Sequence, residues 1–483
     1  SKVFGDLVPE AIARRHQVIP IGRRRGSILL AMADPDDVMV LDDLRMRLGV
    51  PMIAVMADAA QVAAAIEEAY SRSAVRENLA AVATDDEFAE EEDLDDVEQG
   101  PIVRLVDSLL EEAASDRASD IHIEPGRDGV KMRFRIDGVL HDISEASTSV
   151  LRPILSRVKV LAELDIAQSR LPQDGRFTQR IGGDDVDVRV ATVPTVYGEA
   201  AVLRLLDRST GLVELSRLGI APEQLARYKT AFEAAQGAVL VTGPTGSGKT
   251  STLYSTVAAL DTRDRSVMSV EDPVEYKLRG VKQMQVNRRA GLTFPVALRA
   301  MLRSDPDIIL VGEIRDGETA TIAAGAAMSG HLVFSTMHTT SAASSPARFI
   351  EMGVEPYVVT SAISCIVAQR LARRLCDACA APLPDPEAIL RRMGVPEEAW
   401  ETAKLRRAVG CDECHGTGFY GRVGCYEIML MSDDIRELVL SRAPAQDIER
   451  YAIAEGMQTL RDSGMSHVLA GQTTVEEMLR VIS

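Results

Sequence analysis

The chain has 483 residues, of which 46% are hydrophobic, 26% charged and only 4% aromatic, and its formal net charge is −18. This length allows about three domains with full cores. No apolar run reaches the ~18 residues a membrane span needs, so any membrane association is expected to run through a partner. The acidic balance with few aromatic rings argues against nucleic acid, which calls for a basic stripe or a stacking surface.

No signal peptide is visible, and a chain beginning at Ser1 leaves room for a preceding segment. Residues 1–72 form a first block, a small α/β domain. It carries a strand over Ser27–Met32, an Asp-Pro-Asp-Asp turn at 34–37 and a helical pattern from Val62 to Tyr70. Residues 73–100 read as an acidic linker. Ten of the fourteen residues from Asp85 to Glu98 are acidic and none is basic, so the run has little to bury. Without those ten the chain holds 54 basic against 62 acidic residues, a balance of −8.

The block 101–218 opens with an amphipathic helix that puts Ile102, Val106, Leu109, Leu110 and Ala113 on one face. Residues 130–137 alternate, with Val130, Met132, Phe134 and Ile136 on one side and Lys131, Arg133, Arg135 and Asp137 on the other, which predicts a half-buried strand. The turn Gly126–Gly129 joins it to Ile121-His122-Ile123, and a second hairpin is expected at Gly182-Gly183. The strands after that turn carry Arg189 and Arg204.

The block 219–370 holds the most informative motif. Gly243, Pro244, Thr245, Gly246, Ser247, Gly248, Lys249 and Thr250 read G-x-x-x-x-G-K-T after the apolar run 238–242 and before a helix predicted over 249–260. A strand, a glycine-rich loop and a helix in that order make a phosphate cradle. The glycines let backbone N–H groups approach a polyphosphate, Lys249 charges the outer phosphates and the Thr250 hydroxyl suits Mg²⁺. Three more apolar runs end in chemistry: Val267–Val270 before Glu271, Asp307–Val311 before Gly312 and Glu313, and His331–Met337 before His338. Ligands of parallel sheets sit beyond the carboxyl ends of strands, so Glu271, Glu313 and His338 are expected to converge on the γ-phosphate. Glu271 is read as orienting water and Glu313 as the Mg²⁺ side, with the reverse division left open. Gly312 stands where such a strand commonly ends in Asp. Arg299 and Arg303, four apart on a predicted helix, and Arg315 are candidates for neutralising transition-state charge, against the plainer reading of a solvated basic face.

Cys376 and Cys379, and Cys411 and Cys414, form two C-x-x-C pairs separated by 31 residues. The chain reads as cytoplasmic, and there this spacing points to a closed structural zinc site. Cys365 and Cys425 read as small buried residues. The stretch 411–418 also looks like one repeat of a J-protein zinc domain, but only one is present. The zinc segment is taken as 371–425 and a helical tail as 426–483.

Ala118-Ser119-Asp120-Ile121-His122-Ile123-Glu124-Pro125, the loop 243–250, Val270–Glu275, Val311–Asp316 and Gly330–Thr339 together resemble the secretion ATPases of type II secretion and type IV pilus assembly. The similarity extends over nearly the whole chain, cysteine pairs included. It implies a multidomain α/β fold: a RecA-like phosphate-loop core preceded by a PAS-like domain and an N-terminal domain, with a four-cysteine zinc insertion. It further implies a homo-oligomeric ring, usually a hexamer, in which neighbouring subunits clamp ATP. On that reading Arg189 and Arg204 reach the phosphates, joined by Arg299, Arg303 and Arg315. The family also carries Gly before Glu at the Gly312 position, whereas many members have Asn at Thr340. It implies docking of the N-terminal domain to inner-membrane platform proteins. The competing readings are a RecA-like nucleic-acid translocase and a zinc-dependent protein-binding module with a nucleotide switch.

Overall fold

The computed structural model describes residues 100–207, 212–260 and 263–482, with stretches of the first 79, the longest being 16–24, 27–32 and 51–58. The acidic run 85–98 and most of the helical pattern 62–70 lie outside the described residues. The chain divides into two units, residues 1–209 with 409–418, and residues 210–408 with 419–483.

The first unit begins with a three-stranded sheet of β1 (Val18–Arg24), β2 (Ser27–Met32) and β3 (Met52–Met56), antiparallel then parallel. Val18, Ile28, Leu30 and Met32 bury into its small core. Helix α1 (Pro101–Ser115) follows, opened by a proline where no intrahelical N–H is needed. The strands β4 (Ala118–Pro125), β5 (Val130–Ile136) and β6 (Val139–Ala146) come next, then α2 (Leu151–Leu161). The strands β7 (Gln173–Ile181), β8 (Asp184–Thr195) and β9 (Gly198–Asp207) complete an antiparallel sheet in the order β6-β5-β4-β9-β8-β7. Both predicted hairpins are present, and Gly182 and Gly183 have φ of 60° and 99°, the left-handed region a two-residue turn requires. One face is core: Leu105 and Leu109 of α1 and Ile154 and Val158 of α2 share a cluster with Ile121, Phe134, Val188 and Leu203. Period-2 alternation turns the intervening residues, most of the charged ones among them, to the opposite face.

The second unit is built on α3 (Pro222–Phe232), β10 (Gly237–Thr242), α4 (Lys249–Ala259), β11 (Val267–Glu271), β12 (Val281–Gln285), α5 (Phe294–Met301), β13 (Ile308–Val311), α6 (Gly317–Met328) and β14 (Leu332–Met337). Short helices α7 (Ser345–Glu351) and α8 (Pro356–Ala362) lead to β15 (Ile363–Leu375). After β16 (Ala381–Pro382), α9 (Pro386–Met393) and β17 (Arg406–Arg407) comes β18 (Phe419–Leu430), and the chain ends in α10 (Asp433–Leu440), α11 (Ala445–Ala454), α12 (Leu460–Leu469) and α13 (Val475–Ile482). The sheet order is β12-β11-β13-β14-β10-β15-β18; all pairs are parallel except β15 with β18. Alternate residues of β10 enter different cores. Val239 and Val241 pack with Tyr228, Phe232 and Leu253 of α3 and α4, whereas Ala238 and Leu240 pack with Ala297, Leu298 and Ala323 of α5 and α6. With both faces covered, β10, β11, β13 and β14 are buried along their whole length and their ends are the places left for chemistry. Because β15 and β18 belong to this sheet, the stretch between them, with the cysteines, is an insertion into it.

Candidate nucleotide site

The loop after β10 is shaped by three glycines with φ of 148° (Gly243), 80° (Gly246) and 83° (Gly248). A Cβ at Gly243 would lie 2.5 Å from the Gln369 carbonyl oxygen, and one at Gly248 2.9 Å from Gln369 Nε2, so β15 presses on the loop from one side. Gly248 precedes α4 without a side-chain cap, which leaves the first N–H groups of the helix and its positive dipole end facing the loop. Lys249 folds back on that loop, its Nζ donating to the carbonyls of Gly243 at 2.8 Å and Pro244 at 3.0 Å. Burial lowers its pKa to about 8, with Glu313 opposing and Arg370 reinforcing the shift. Ser247 Oγ is buried and has no hydrogen-bond partner among the described residues.

Glu313 lies two residues beyond β13, 16% exposed at its side chain. Arg315 Nε is 2.7 Å and His338 Nε2 3.6 Å from its Oε2. His338 follows β14, and its pKa is lowered, first by burial and then by Lys249. Lys249, Glu313, Arg315 and His338 thus meet at the carboxyl ends of β10, β13 and β14. The peptide after β13 is fixed to β14, because Ile314 N–H donates to Thr336 O at 2.9 Å and Thr336 Oγ1 donates to Gly312 O at 2.7 Å. Gly312 has its own reason: a Cβ there would meet Glu271 Cα at 3.2 Å, so an Asp would push the neighbouring strand end away.

Glu271 is placed differently. It is 3% exposed, and its oxygens accept hydrogen bonds from Tyr254 Oη, from Ser269 Oγ at 2.6 Å and from Gln283 Nε2 at 3.1 Å. A carboxylate offers about four acceptor positions, so these donors leave about one. Burial, then the Glu271 carboxylate, raises the Tyr254 pKa and keeps its hydroxyl protonated as the donor. His331, at the opposite end of β14 from His338, holds the Ala326 carbonyl through Nδ1 at 2.9 Å, a scaffold contact.

The arginines separate. Arg299 on α5 pairs with Glu318 at 2.6 Å, an exposed ion pair. Arg303, expected four residues along the same helix, lies beyond its end. Helix α5 ends at Met301, and Arg303 is exposed in the tightened turn beyond it, its N–H donating to Ala300 O at 3.2 Å. Arg370, which motif reading passed over, lines the loop: its Nη1 would be 3.3 Å from a Cβ at Gly243.

In the first unit, Arg189 and Arg204 face one another across β8 and β9, and the row extends on both sides. Arg176 pairs Arg189, Arg204 pairs Asp120 and Asp120 pairs Arg135. Cross-strand partners share a face, and like charges directly opposed are unfavourable, so folding alone does not call for three adjacent arginines. Asp120 holds Arg204 Nε at 2.8 Å and lies 3.6 Å from Arg135 Nε, while Arg204 stays 55% exposed at its side chain. Arg176 was recoverable from sequence: counting back from the Gly182-Gly183 turn pairs 189 with 176.

Ligand sulfurs of Cys376, Cys379, Cys411 and Cys414 all lie within 4.8 Å of one another. Cys411 Sγ is 3.7 Å from Cys414 Sγ, too long for a disulfide and close to the ~3.8 Å between thiolates each ~2.3 Å from a tetrahedral zinc. The N–H of Gly418 donates to Cys414 Sγ at 3.1 Å, a donor that suits a thiolate. The donor set and its spacing fit Zn²⁺. Cys365 and Cys425 are buried, and burial pushes both thiols up to about 12.

A family profile described as "Type II/IV secretion system protein" matches residues 95–480, and one described as "MshEN domain" matches residues 3–76. The chain belongs to the type II/IV secretion system protein family. It is 42% identical over 483 residues to the type IV pilus assembly ATPase PilB of Myxococcus xanthus, covering 98% of this chain and 85% of that protein. To the type II secretion system protein E of Pseudomonas aeruginosa it is 46% identical over 405 residues, 84% of this chain and 80% of that one. Among solved structures, the pilus retraction motor PilT with bound ADP superposes with a TM-score of 0.52 at 25% identity, covering 77% of this chain and 96% of that one. The ATPase DotB of Legionella pneumophila does so at 0.56 and 20% identity over 77% and 94% of the chains, which speaks to the fold alone. The mixed α/β architecture and the resemblance to secretion and pilus ATPases are thereby established. Among the described residues no helix is long and apolar enough to cross a membrane.

Proposed function

We propose that the chain is a Mg²⁺-dependent ATP-hydrolysing motor that powers type II secretion or type IV pilus assembly. The observation that carries this is the meeting of Lys249, Glu313, Arg315 and His338 beside a loop whose three positive-φ glycines and uncapped helix present N–H groups to an anion. Lys249 would bind the outer phosphates. Glu313 would stand on the Mg²⁺ side with Thr250, and His338, held neutral by burial, would read the γ-phosphate. Glu271 would orient water through its one remaining acceptor position. Arg189 and Arg204, joined by Arg176, would supply transition-state charge from the preceding domain, with Arg299 and Arg303 as lesser contributors. This charge from a second domain fits a ring of subunits, six by family analogy. Cytoplasmic residence and docking of residues 1–72 to inner-membrane platform proteins belong to the same reading.

Steady-state ATPase measurements test it. Turnover is expected in the intact protein, unaffected by DNA and lost in Lys249→Ala. Strong DNA stimulation would favour a translocase, and unaltered turnover in Lys249→Ala would end the motor reading. Zn²⁺ bound by Cys376, Cys379, Cys411 and Cys414 would close the insertion as a structural site. Elemental analysis should then find about one zinc per chain, and less than about half would reject the assignment.

A further inference from the structure

Beyond His338 the segment 339–342 is held at two points. Arg370 Nη2 donates to the Thr340 carbonyl at 2.7 Å. The same guanidinium lies beside Gly243, where an added Cβ would be 3.3 Å from its Nη1, so it stands between the phosphate loop and the segment after the histidine. At the second point the Ala342 N–H donates to Glu427 Oε1 at 2.7 Å. Glu427 lies on β18 opposite Ala368 and is 3% exposed. Its other oxygen, Oε2, accepts the N–H of Leu460 at 3.3 Å, the first residue of α12.

A buried carboxylate is a poor choice for packing, since an apolar residue of similar volume commonly serves as well. It is retained where its oxygens answer specific donors. Here the two donors are backbone N–H groups of segments far apart in sequence, one next to the nucleotide site and one at a helix N-terminus, where the dipole favours negative charge. From there α12 runs along β18, with Ser463 Oγ accepting from Tyr426 N–H at 3.0 Å and His467 Nε2 lying 3.0 Å from Gly424 O. Its far end meets the insertion. Lys404 N–H donates to Leu469 O at 2.8 Å, and Val468 packs with Leu390 and Leu405.

We propose that Glu427 is a positioning residue that ties the segment after His338 to the first turn of α12, so that the nucleotide state is passed to the C-terminal helices and the cysteine insertion. The proposal rests on the nucleotide-site reading above. Its test is hydrogen exchange of the full chain with and without ADP and Mg²⁺, followed in segments 339–345 and 457–463. In the unaltered protein ADP slows exchange in both. Glu427→Gln keeps the side-chain shape but has one acceptor oxygen, so its NH₂ faces one of the two N–H donors. In that variant ADP protects 339–345 and no longer 457–463, and kcat falls about tenfold while the ADP Kd stays within about twofold. A residue needed only for stability would weaken both segments and binding together. If the unaltered protein binds ADP and turns over ATP but shows no response at 457–463, or if Glu427→Gln transmits it unchanged, Glu427 does not couple the two. If the unaltered protein neither binds ADP nor hydrolyses ATP, the nucleotide-site reading itself fails.

Discussion

The two large sheets place their polar chemistry in opposite ways. In the seven-stranded sheet every residue of β10, β11, β13 and β14 is buried, so functional groups are confined to the carboxyl ends and their loops. In the six-stranded antiparallel sheet only one face is covered by α1 and α2, and charged groups stand mid-strand on the other. The first arrangement yields a recessed loop where burial moves proton equilibria, as at Lys249 and His338. The second yields guanidinium groups set mid-strand on the uncovered face, Arg204 among them with its side chain 55% exposed. One sheet offers tunable groups in a preorganised cradle, the other fixed cations on an open face.

The largest effect that would sharpen this contrast comes from the open face. Arg204→Ala should lower turnover by ~10³-fold while leaving nucleotide Kd nearly unchanged, because an arginine that acts only on developing charge contributes to the transition state and not to ground-state binding. Arg204→Lys should rescue little. The guanidinium donates Nε to Asp120 at 2.8 Å while its side chain stays 55% exposed, and one ammonium cannot both hold that carboxylate and offer a fork of further donors. Equal losses in Kd and kcat/KM would make Arg204 a binding group and erase the distinction between the sheets.

The contrast also decides what could be read from sequence. Strands β10, β11, β13 and β14 were legible because both-face burial writes them as apolar runs, each ending at a Gly, Glu or His with evident chemistry; β12, whose Lys282, Gln283 and Gln285 break the pattern, was not. The antiparallel hairpins were legible from alternation and from Gly126–Gly129 and Gly182-Gly183, and Arg189 and Arg204 with them; the row they form with Arg176 was not read, although the second hairpin pairs 176 with 189 by counting. Arg370 was not, because its place beside the loop depends on β15 running next to β10, a pairing between distant segments that no local pattern announces. The same holds for the saturation of Glu271, whose Tyr254 comes from the opposing helix α4. Arg303 was misplaced by extending a helical period past Met301, where the tightened turn ends α5. Glu427, alone in the apolar pattern of β18, carried a signal that went unused: an acid among Tyr426, Ile428 and Met429 has to be answering donors.

The smaller effect tests the recessed loop. Burial sets the Lys249 pKa at about 8 in the nucleotide-free protein, whereas a polyphosphate on the loop returns it to the ordinary lysine range near 10.5 or above. Near pH 8 the free side chain is then about half charged and the bound one fully charged, so binding takes up about half a proton; at pH 6.5 the uptake is close to zero. The sign for stability follows. The folded pKa lies below the unfolded one, so between about 8 and 10.5 the unfolded chain holds more protons and the nucleotide-free protein gains stability as pH rises through that window. The complex lacks this gain, and affinity therefore weakens with rising pH. Calorimetric titration with ADP at pH 8, in buffers of different ionisation enthalpy, reads the uptake directly. It should persist in Arg204→Ala, which leaves the contacts of Lys249 to Gly243 and Pro244 in place. Buffer-independent binding enthalpy at pH 8 would show that Lys249 is charged before the nucleotide arrives, and that the cradle is less recessed than its closeness to Gly243 and Pro244 makes it.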